Sequence, residues 1–181
     1  MCVGYKMTAI EENSSIVIRR PNPDDFSDIQ EFVRNTCENT RNTFGEHDWN
    51  ETPVEEGTYD DMMDRFGQGN ILLGFIDGYL SGIVVLTQKN SEKFRHVGNL
   101  TLSLLSDELI SSLGKELISR MILTCKGKGI IRKVNLRVRE DLFKIQDIYK
   151  SLGFYEEGSL ARDVCLNGMF YSTLLFGRSI D

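Results

Sequence analysis

The sequence predicts an α/β (α+β) fold, with a mixed central sheet of about seven strands flanked by helices. Leucines alternate with other residues from Leu100 to Leu104, as in a half-buried strand. Apolar residues then recur at helical spacing from Leu113 to Ile122, which predicts an amphipathic helix after that strand. The dipeptides Asp77-Gly78 and Asn167-Gly168 each separate two strand-like segments and therefore predict β-hairpins.

The composition is that of a globular protein: of 181 residues, 40% are hydrophobic and 27% are charged. The length suits one domain, which we expect over residues 16–181 after a loose lead-in at residues 1–15. The net charge of −6 argues against nucleic-acid binding, and no apolar run approaches the length of a membrane span. We expect a cytoplasmic location, because the first residues lack an apolar segment of signal-peptide length.

The cysteines are scattered along the chain, without a Cys-x-x-Cys pair and without a histidine close to any of them. They are Cys2, Cys37, Cys125 and Cys165. Metal sites and redox dithiols need closely spaced ligands, so we expect neither, and we expect reduced thiols.

The first half of the chain contains three strand-like and two helix-like segments. The strands are predicted at Ile16–Arg20, Ile71–Asp77 and Tyr79–Gln88. Asp24 or Asp25 is expected to cap the first helix, and a second, short helix is predicted over Thr58–Phe66. Gly82 within a strand indicates a bulge or a close approach of backbone.

The segment Ser106–Gly114 connects the central strand to the amphipathic helix and allows two interpretations. A short connection leaves unpaired N–H groups at the helix start, where they can bind a phosphate group. Alternatively, Asp107 caps one uninterrupted helix from Glu108 to Lys126, whose amides then bond internally. The order of the elements favours the first interpretation.

The remaining elements follow in a regular order. They are a strand over Ile130–Val138, a helix over Phe143–Leu152 and the hairpin strands Gly158–Leu166 and Met169–Phe176. The helix contains Tyr149 and is followed by Gly153-Phe154.

This order of elements, together with Tyr149-x-x-x-Gly153-Phe154, resembles the Gcn5-related N-acetyltransferase (GNAT) superfamily from Ile16 to Phe176. The resemblance is greatest to the branch that acetylates ribosomal-protein N-termini, antibiotics and other small amines. It implies an acyl-CoA N-acyltransferase fold, in which two parallel strands splay apart at the cofactor site. It also implies acetyl-CoA as cosubstrate and, as acceptor, an amine of a small molecule, a peptide or a protein N-terminus. A homodimer is left open.

The loop after the central strand departs from the family pattern Arg/Gln-x-x-Gly-x-Gly/Ala. Leu109, Ile110 and Ser112 stand at the positions of the basic or amide residue and the first two glycines, and only Gly114 is retained. Leu142 replaces an asparagine of the later pattern. Glycine lets backbone approach a pyrophosphate, and the side chain of Ile110 is expected to crowd that approach. The alternative function is therefore a catalytically degenerate binding or sensor module.

The resemblance implies a catalytic Tyr149, whose hydroxyl protonates the sulfur of CoA; the other interpretation is a tyrosine that packs by its ring. It implies cofactor contacts from the central strand, the loop and the two helix starts. The residues are Leu102, Leu104, Leu109, Ile110, Ser111, Ser112, Leu113, Gly114, Lys115 and Leu142. Asn99 stands nearest the position of a glutamate base and cannot take a proton, so the base is unidentified.

Residues 45–64 contain eight acids and neither lysine nor arginine. Such a segment either attracts a cationic amine to a cleft or forms a solvated acidic face. Trp49 within it either lines the acceptor pocket or anchors a loop, and His47 and His96 are more typical of surface histidines than of bases. Tyr171 and Arg162 are further candidates for the acceptor side.

Overall fold

The computed structural model describes residues 14–37, 43–44, 57–66, 70–89 and 91–181, which form one sheet and the helices on its two faces. The elements are β1 (Ile16–Arg19), α1 (Phe26–Cys37), β2 (Thr43–Phe44), α2 (Tyr59–Phe66), β3 (Ile71–Ile76), β4 (Tyr79–Gln88), β5 (Val97–Leu104), α3 (Leu113–Lys128), β6 (Lys133–Arg139), α4 (Phe143–Ser151), β7 (Tyr155–Leu166) and β8 (Met169–Ser179). The predicted fold class and order of elements are confirmed.

The sheet has the strand order β1-β3-β4-β5-β6-β8-β7, with β2 paired to β5 beside this path. Its neighbours are antiparallel except β5 and β6, which are parallel. That parallel pairing lasts for three positions, from Val97 with Lys133 to Asn99 with Asn135. By contrast, β4 pairs with β5 over seven positions, and β6 pairs with β8 over seven positions. The predicted divergence of the two parallel strands is therefore confirmed.

Both predicted hairpins have the backbone that an Asn-Gly or Asp-Gly turn favours. Asp77 and Gly78 have φ of 49° and 85°, and Asn167 and Gly168 have φ of 51° and 78°. Positive φ at both central residues defines the type I′ turn, whose twist matches that of the flanking strands.

The start of α1 differs from the prediction. Pro23–Asp25 forms a short 3-10 helix ahead of α1, and Asn22 rather than an aspartate caps it, accepting from the Asp24 amide at 2.9 Å. The buried Asp25 instead accepts from the Asn22 amide at 2.8 Å and from both terminal nitrogens of Arg19 at 2.6 Å. The hydrogen bonds from Arg19 hold the pKa of the Asp25 carboxyl below its usual value.

Helices cover the two faces of the sheet and divide the core into two apolar clusters. The first cluster packs α1 and α2 on β3 and β4, with Ile29, Phe32, Met62, Phe66, Leu73 and Ile83 among its members. The second packs α3 and α4 on the opposite face, with Leu102, Leu104, Leu117, Met121, Leu136 and Tyr149 among its members. The alternation of side chains in β4 explains this division, because Val84 and Leu86 belong to the second cluster whereas Ile83 and Val85 belong to the first.

The connection Ser106–Gly114 is not part of an uninterrupted helix. Asp107–Ser111 forms a 3-10 helix, and Ser112 then leaves the helical region with φ −111° and ψ −89° before α3 begins at Leu113. The interpretation with a single helix from Glu108 to Lys126 is therefore wrong, and the one with an exposed helix start is retained.

The acidic segment is described only at its end. Residues 45–56, with Trp49 and His47, lie outside the described residues. On α2 the acids Asp60, Asp61 and Asp64 are exposed, and Asp61 accepts from the Thr58 hydroxyl at 2.7 Å. The described part of the acidic segment is therefore a solvent-exposed face of α2.

Two searches of the described residues were negative. No helix among them is long and apolar enough to cross a membrane. They also contain no cluster of three or more His, Cys, Asp or Glu side chains suited to a metal ion.

Glycine allows α3 to pack directly on the sheet at Gly82, as the sequence indicated. A Cβ there would lie 2.8 Å from Leu104 Cδ2 and 2.9 Å from Leu117 Cδ1. A bulge is also present, because Gly74 pairs with Gly82 whereas Phe75 pairs with Leu80. Gly127 near the end of α3 is the opposite case, since a Cβ there would meet nothing within 4 Å.

We predict that Gly82→Ala lowers the free energy of unfolding by about 1–3 kcal/mol, because the added methyl overpacks the core. The matched variant Gly127→Ala should raise it by up to about 1 kcal/mol, since alanine favours a helix. Urea unfolding followed by circular dichroism measures both. Equal effects of the two variants would contradict the close packing of α3 on β4.

Candidate active site

An opening forms where β5 and β6 separate beyond Asn99 and Asn135. The edge of β5 that faces β6 is partly occupied there, because Thr43 and Phe44 of β2 pair with Ser103 and Leu102. β4 pairs with the same residues of β5 from the other side. A ligand that pairs with the Leu102 backbone in the opening therefore has to replace β2.

The start of α3 lies over the second half of β5. A Cβ on Gly114 would lie 3.2 Å from both Leu102 Cδ2 and Leu104 Cδ1, which shows how closely the first turn approaches the strand. The first N–H groups of an α-helix have no partner within the helix, and Ser112 provides no side-chain cap. The dipole of this 16-residue helix favours an anion near such a start.

The side chain of Ile110 is buried against the first turn of α3. It is 3% exposed, and its Cδ1 would lie 2.9 Å from a Cβ on Gly114, within the cluster beneath α3. Leu109 beside it is equally buried. The 3-10 turn thus places this side chain in the core beside Gly114, and the crowding of a phosphate by Ile110 stays a prediction.

The other predicted cofactor residues fall into two groups. Leu102, Leu104, Leu113 and Gly114 are buried. Ser111 and Lys115 are exposed, whereas Ser112 and Leu142 are half-buried. Leu142 caps α4, and its carbonyl accepts from the amides of Ile145 and Gln146 at 3.1 and 3.2 Å.

The hydroxyl of Tyr149 is a buried donor for which the described residues provide no acceptor. The residue is 0% exposed, and its ring packs against Phe154 and Phe176, with centroids 6.1 and 5.8 Å away. Its Oη has no hydrogen-bond partner among the described residues. Burial raises the pKa of this hydroxyl well above its ordinary value, so the proton stays on the oxygen at neutral pH. Buried polar groups in folded proteins are nearly always paired, so this one indicates a missing partner.

A cavity of about 380 Å³ lies where the two parallel strands begin to separate. Phe176 lines it and also packs against Tyr149, so one aromatic ring connects the cavity and the tyrosine. Asn99 and Asn135 also line it, and Asn135 Nδ2 donates to Asn99 Oδ1 at 3.2 Å. Asn135 Oδ1 is buried and has no partner among the described residues.

The carboxylate in the cavity wall belongs to Glu157, which the sequence did not single out. Glu157 is the extra residue of a β-bulge in β7, between Glu156 paired with Phe176 and Gly158 paired with Leu175. The bulge turns the side chain over Gly177, where any Cβ would collide with the carboxylate. Its Oε2 lies 2.7 Å from Lys133 Nζ.

The polar side chains of β6 in this cavity were also missed. Lys133, Asn135 and Arg137 line the cavity and alternate with the buried Val134 and Leu136. This period-two pattern is visible in the sequence and could have indicated a polar sheet face.

The remaining candidates lie elsewhere. Arg139 stacks on the ring of Tyr171 at 4.8 Å, and Arg162 stacks on Phe170 at 4.1 Å in the exposed hairpin. His96 is exposed. The cavity wall includes none of these side chains.

The strand order, the separation of β5 from β6 and the position of α3 define the acyl-CoA N-acyltransferase fold of the GNAT superfamily. No protein-family model and no curated protein sequence matches the chain. Many solved structures do, and those described next are acetyltransferases.

A GNAT-family acetyltransferase from Streptococcus pneumoniae is 25% identical, with a TM-score of 0.80 over 92% of this chain and 100% of that one. The ribosomal-protein-alanine N-acetyltransferase of Brucella melitensis is 18% identical, with a TM-score of 0.74 over 90% of this chain and 99% of that one. The putative acetyltransferase yncA of Salmonella typhimurium was solved with its cofactor acetyl-CoA. It is 16% identical, with a TM-score of 0.73 over 92% of this chain and 94% of that one.

We predict that Tyr149→Phe stabilises the free protein, because it removes a buried donor that lacks an acceptor. The free energy of unfolding should rise by about 1 kcal/mol. Tyr155→Phe is the control: Tyr155 is 54% exposed, and its loss of a hydroxyl should change stability by less than about 0.5 kcal/mol. A destabilised Tyr149→Phe protein would show that the hydroxyl has a partner in the free state.

Proposed function

We propose that the protein is an acetyl-CoA-dependent N-acetyltransferase that acts on an amine of a small molecule. The unpartnered hydroxyl of Tyr149 carries this proposal, since a structural tyrosine in a dry core would be replaced by phenylalanine without loss. The acetyltransferases among the structural neighbours support it, and one of them was solved with acetyl-CoA.

The fit of the cofactor to the described residues has two parts. The uncapped start of α3 suits the diphosphate, with the exposed Lys115 in its first turn. Asp107 and Glu108 are exposed just before it and oppose an anion at close range, so affinity depends on the amides and Lys115. The loop lacks the glycines of the family pattern, and Gly114 supplies the close approach of α3 to β5.

Bound acetyl-CoA supplies an acetyl group activated as a thioester, so that transfer forms an N–C bond, breaks a C–S bond and leaves the sulfur in need of a proton. Tyr149 holds such a proton at Oη, and the part of the chain that the structure describes offers it no other acceptor. Asn135 Oδ1 can accept a hydrogen bond from an amine in the cavity and so orient it.

Asn99 stands nearest the position of the family's glutamate base, and its side-chain amide cannot take a proton. Glu157 is the carboxylate that lines the cavity, but it is engaged by Lys133 at 2.7 Å. An acceptor amine of low pKa, or a water bonded to backbone carbonyls, therefore takes the place of a glutamate base.

Thermal melting with acetyl-CoA tests the cofactor site. At 100 times its dissociation constant, a ligand adds about 2.7 kcal/mol, which is roughly 5–10 °C for a chain of this length. We predict that Lys115→Glu raises the dissociation constant by about tenfold, because it places negative charge beside the diphosphate.

Lys126→Glu is the matched control, since this exposed lysine lies in the last turn of the same helix and the charge change is identical. Equal weakening by both variants would contradict binding at the start of α3. No melting shift at millimolar acetyl-CoA would favour the alternative function, a GNAT-fold binding module without useful cofactor affinity.

Tyr149→Phe tests the chemistry. We expect turnover to fall by about 10²-fold or more, because a positioned proton donor is removed, while the acetyl-CoA melting shift stays nearly unchanged. Release of free CoA thiol from acetyl-CoA measures turnover. Unchanged turnover would remove Tyr149 from the mechanism, and loss of the melting shift would assign it to binding instead.

A further inference from the structure

The end of α4 has the geometry of a Schellman motif, and Tyr149 is one of its members. The amide of Phe154 donates to the carbonyl of Tyr149 at 3.1 Å, and the amide of Gly153 donates to the carbonyl of Lys150 at 3.0 Å. Gly153 has φ of 79°, the left-handed conformation that this motif needs and that glycine adopts without strain. The rings of Tyr149 and Phe154, with centroids 6.1 Å apart, make the apolar contact that accompanies the motif. The spacing Tyr149-x-x-x-Gly153-Phe154 is thus the spacing of a helix end.

Arg178 of β8 connects this helix end to the sheet. Its Nη1 donates to the carbonyl of Leu152, the C-cap residue of α4. Its half-buried side chain lies against Gly153, where a Cβ would be 3.6 Å from Arg178 Nε. The helix dipole favours a cation at the C-terminus of a helix. Because Arg178 also pairs with Val134 of β6, the end of α4 is held to a strand that borders the opening.

The hydroxyl of Tyr149 depends on this connection, because no described residue accepts its hydrogen bond. Such an oxygen is placed by the packing of its ring and by the backbone that carries it. Phe176 of β8 contacts the ring, with centroids 5.8 Å apart, and Arg178 holds the backbone through Leu152. Residues two apart on a strand face the same side of the sheet, so Phe176 and Arg178 both reach α4. One strand therefore fixes the ring and the helix end together.

We propose that Arg178 is a positioning residue for the proton donor: it holds the end of α4 so that the Tyr149 hydroxyl keeps the place from which it protonates the departing sulfur. This inference rests on the proposed acetyltransferase function and adds a residue that the sequence did not single out. Arg178 does not line the cavity between β5 and β6, so it acts through α4 and not through contact with an acceptor.

Arg178→Gln tests the positioning, because the shorter, neutral side chain no longer reaches Leu152. We expect kcat to fall by at least about tenfold, since a misplacement of about 1 Å can cost about 10²-fold in rate. KM for acetyl-CoA should stay within about twofold, because the start of α3 is unchanged. Release of CoA thiol measures turnover, with the fastest acceptor among spermidine, phenylethylamine and alanylalanine, well below the melting temperature of each variant.

Two further variants control this measurement. Arg178→Lys should restore part of kcat, since lysine can also donate to the carbonyl of Leu152. Arg132→Gln should leave kcat unchanged, because Arg132 is exposed ahead of β6 and the charge change is identical. Unchanged turnover in Arg178→Gln, or equal losses in Arg178→Gln and Arg132→Gln, overturns the inference.

A double variant distinguishes positioning from a general loss of structure. Once the hydroxyl is absent, its position no longer matters. Arg178→Gln should therefore change the residual kcat of Tyr149→Phe by less than about twofold. The same fold loss in both backgrounds would show that Arg178 acts on the fold as a whole, and the inference would fall.

Glycine variants disturb the same helix end by a second route. Gly153 and Gly168 have nearly equal φ, 79° and 78°, so alanine is strained at both positions. Gly168 lies in the turn of the exposed hairpin, where a Cβ would meet nothing within 4 Å. Both variants should unfold at lower urea concentration, but kcat should fall about tenfold in Gly153→Ala alone. Equal kcat in the two variants contradicts the inference.

Urea unfolding without acetyl-CoA separates this inference from the proposed function. Release of the helix end lets the Tyr149 hydroxyl reach an acceptor or water. Tyr149→Phe should therefore raise the urea midpoint in the unaltered protein but not in the Arg178→Gln background. If none of the three amines is acetylated and this difference is found, the transferase function falls and the anchoring of Tyr149 by Arg178 stands. If acetylation proceeds and neither kcat nor the midpoint couples the two residues, the function stands and this inference falls.

Discussion

The structure depends on one constraint, the short parallel pairing between β5 and β6. Each of these strands keeps its antiparallel neighbour over seven positions, but they pair with each other over three. The sheet is thus two antiparallel halves joined at one end. Backbone groups along the separated edges need partners, because unpaired peptide groups are costly away from water. β2 supplies some of these partners to β5, and an extended ligand with amide groups can supply others.

The helices on one face turn this opening into a site. α3 packs so closely on β3, β4 and β5 that glycine is needed at Gly74, Gly82 and Gly114, and this contact fixes its first turn above the end of β5. α4 places the Tyr149 hydroxyl in the same apolar cluster, where no described residue accepts its hydrogen bond. Stability alone would not retain that oxygen, so the free protein carries a cost of about 1–3 kcal/mol at a position where a ligand can offset it.

The sequence predicted the elements whose signals are local, and missed features that depend on long-range pairing. Asn167-Gly168 specifies its hairpin by itself, since both residues tolerate positive φ. The 3-10 turn at Asp107–Ser111, which buries Ile110 beside Gly114, was not predicted from the sequence. Glu157 could not be found from its neighbours, because its direction follows from the bulge that pairing with β8 creates. Asp25 was misassigned because Pro23 starts a 3-10 turn ahead of α1.

Net charge and local charge lead to different conclusions about the ligand. The chain carries −6 overall, which on its own would suggest a cationic acceptor. Exposed charges are screened over about 8 Å at physiological ionic strength, so the acids on the solvated face of α2 act only on their own surroundings. At the cavity, Lys133 pairs with Glu157 at 2.7 Å, and Arg137 lies 4.0 Å from Asp163, so each of these cations has an acid close to it. The field at the cavity wall is therefore set by these nearby ion pairs rather than by the net charge of the whole protein.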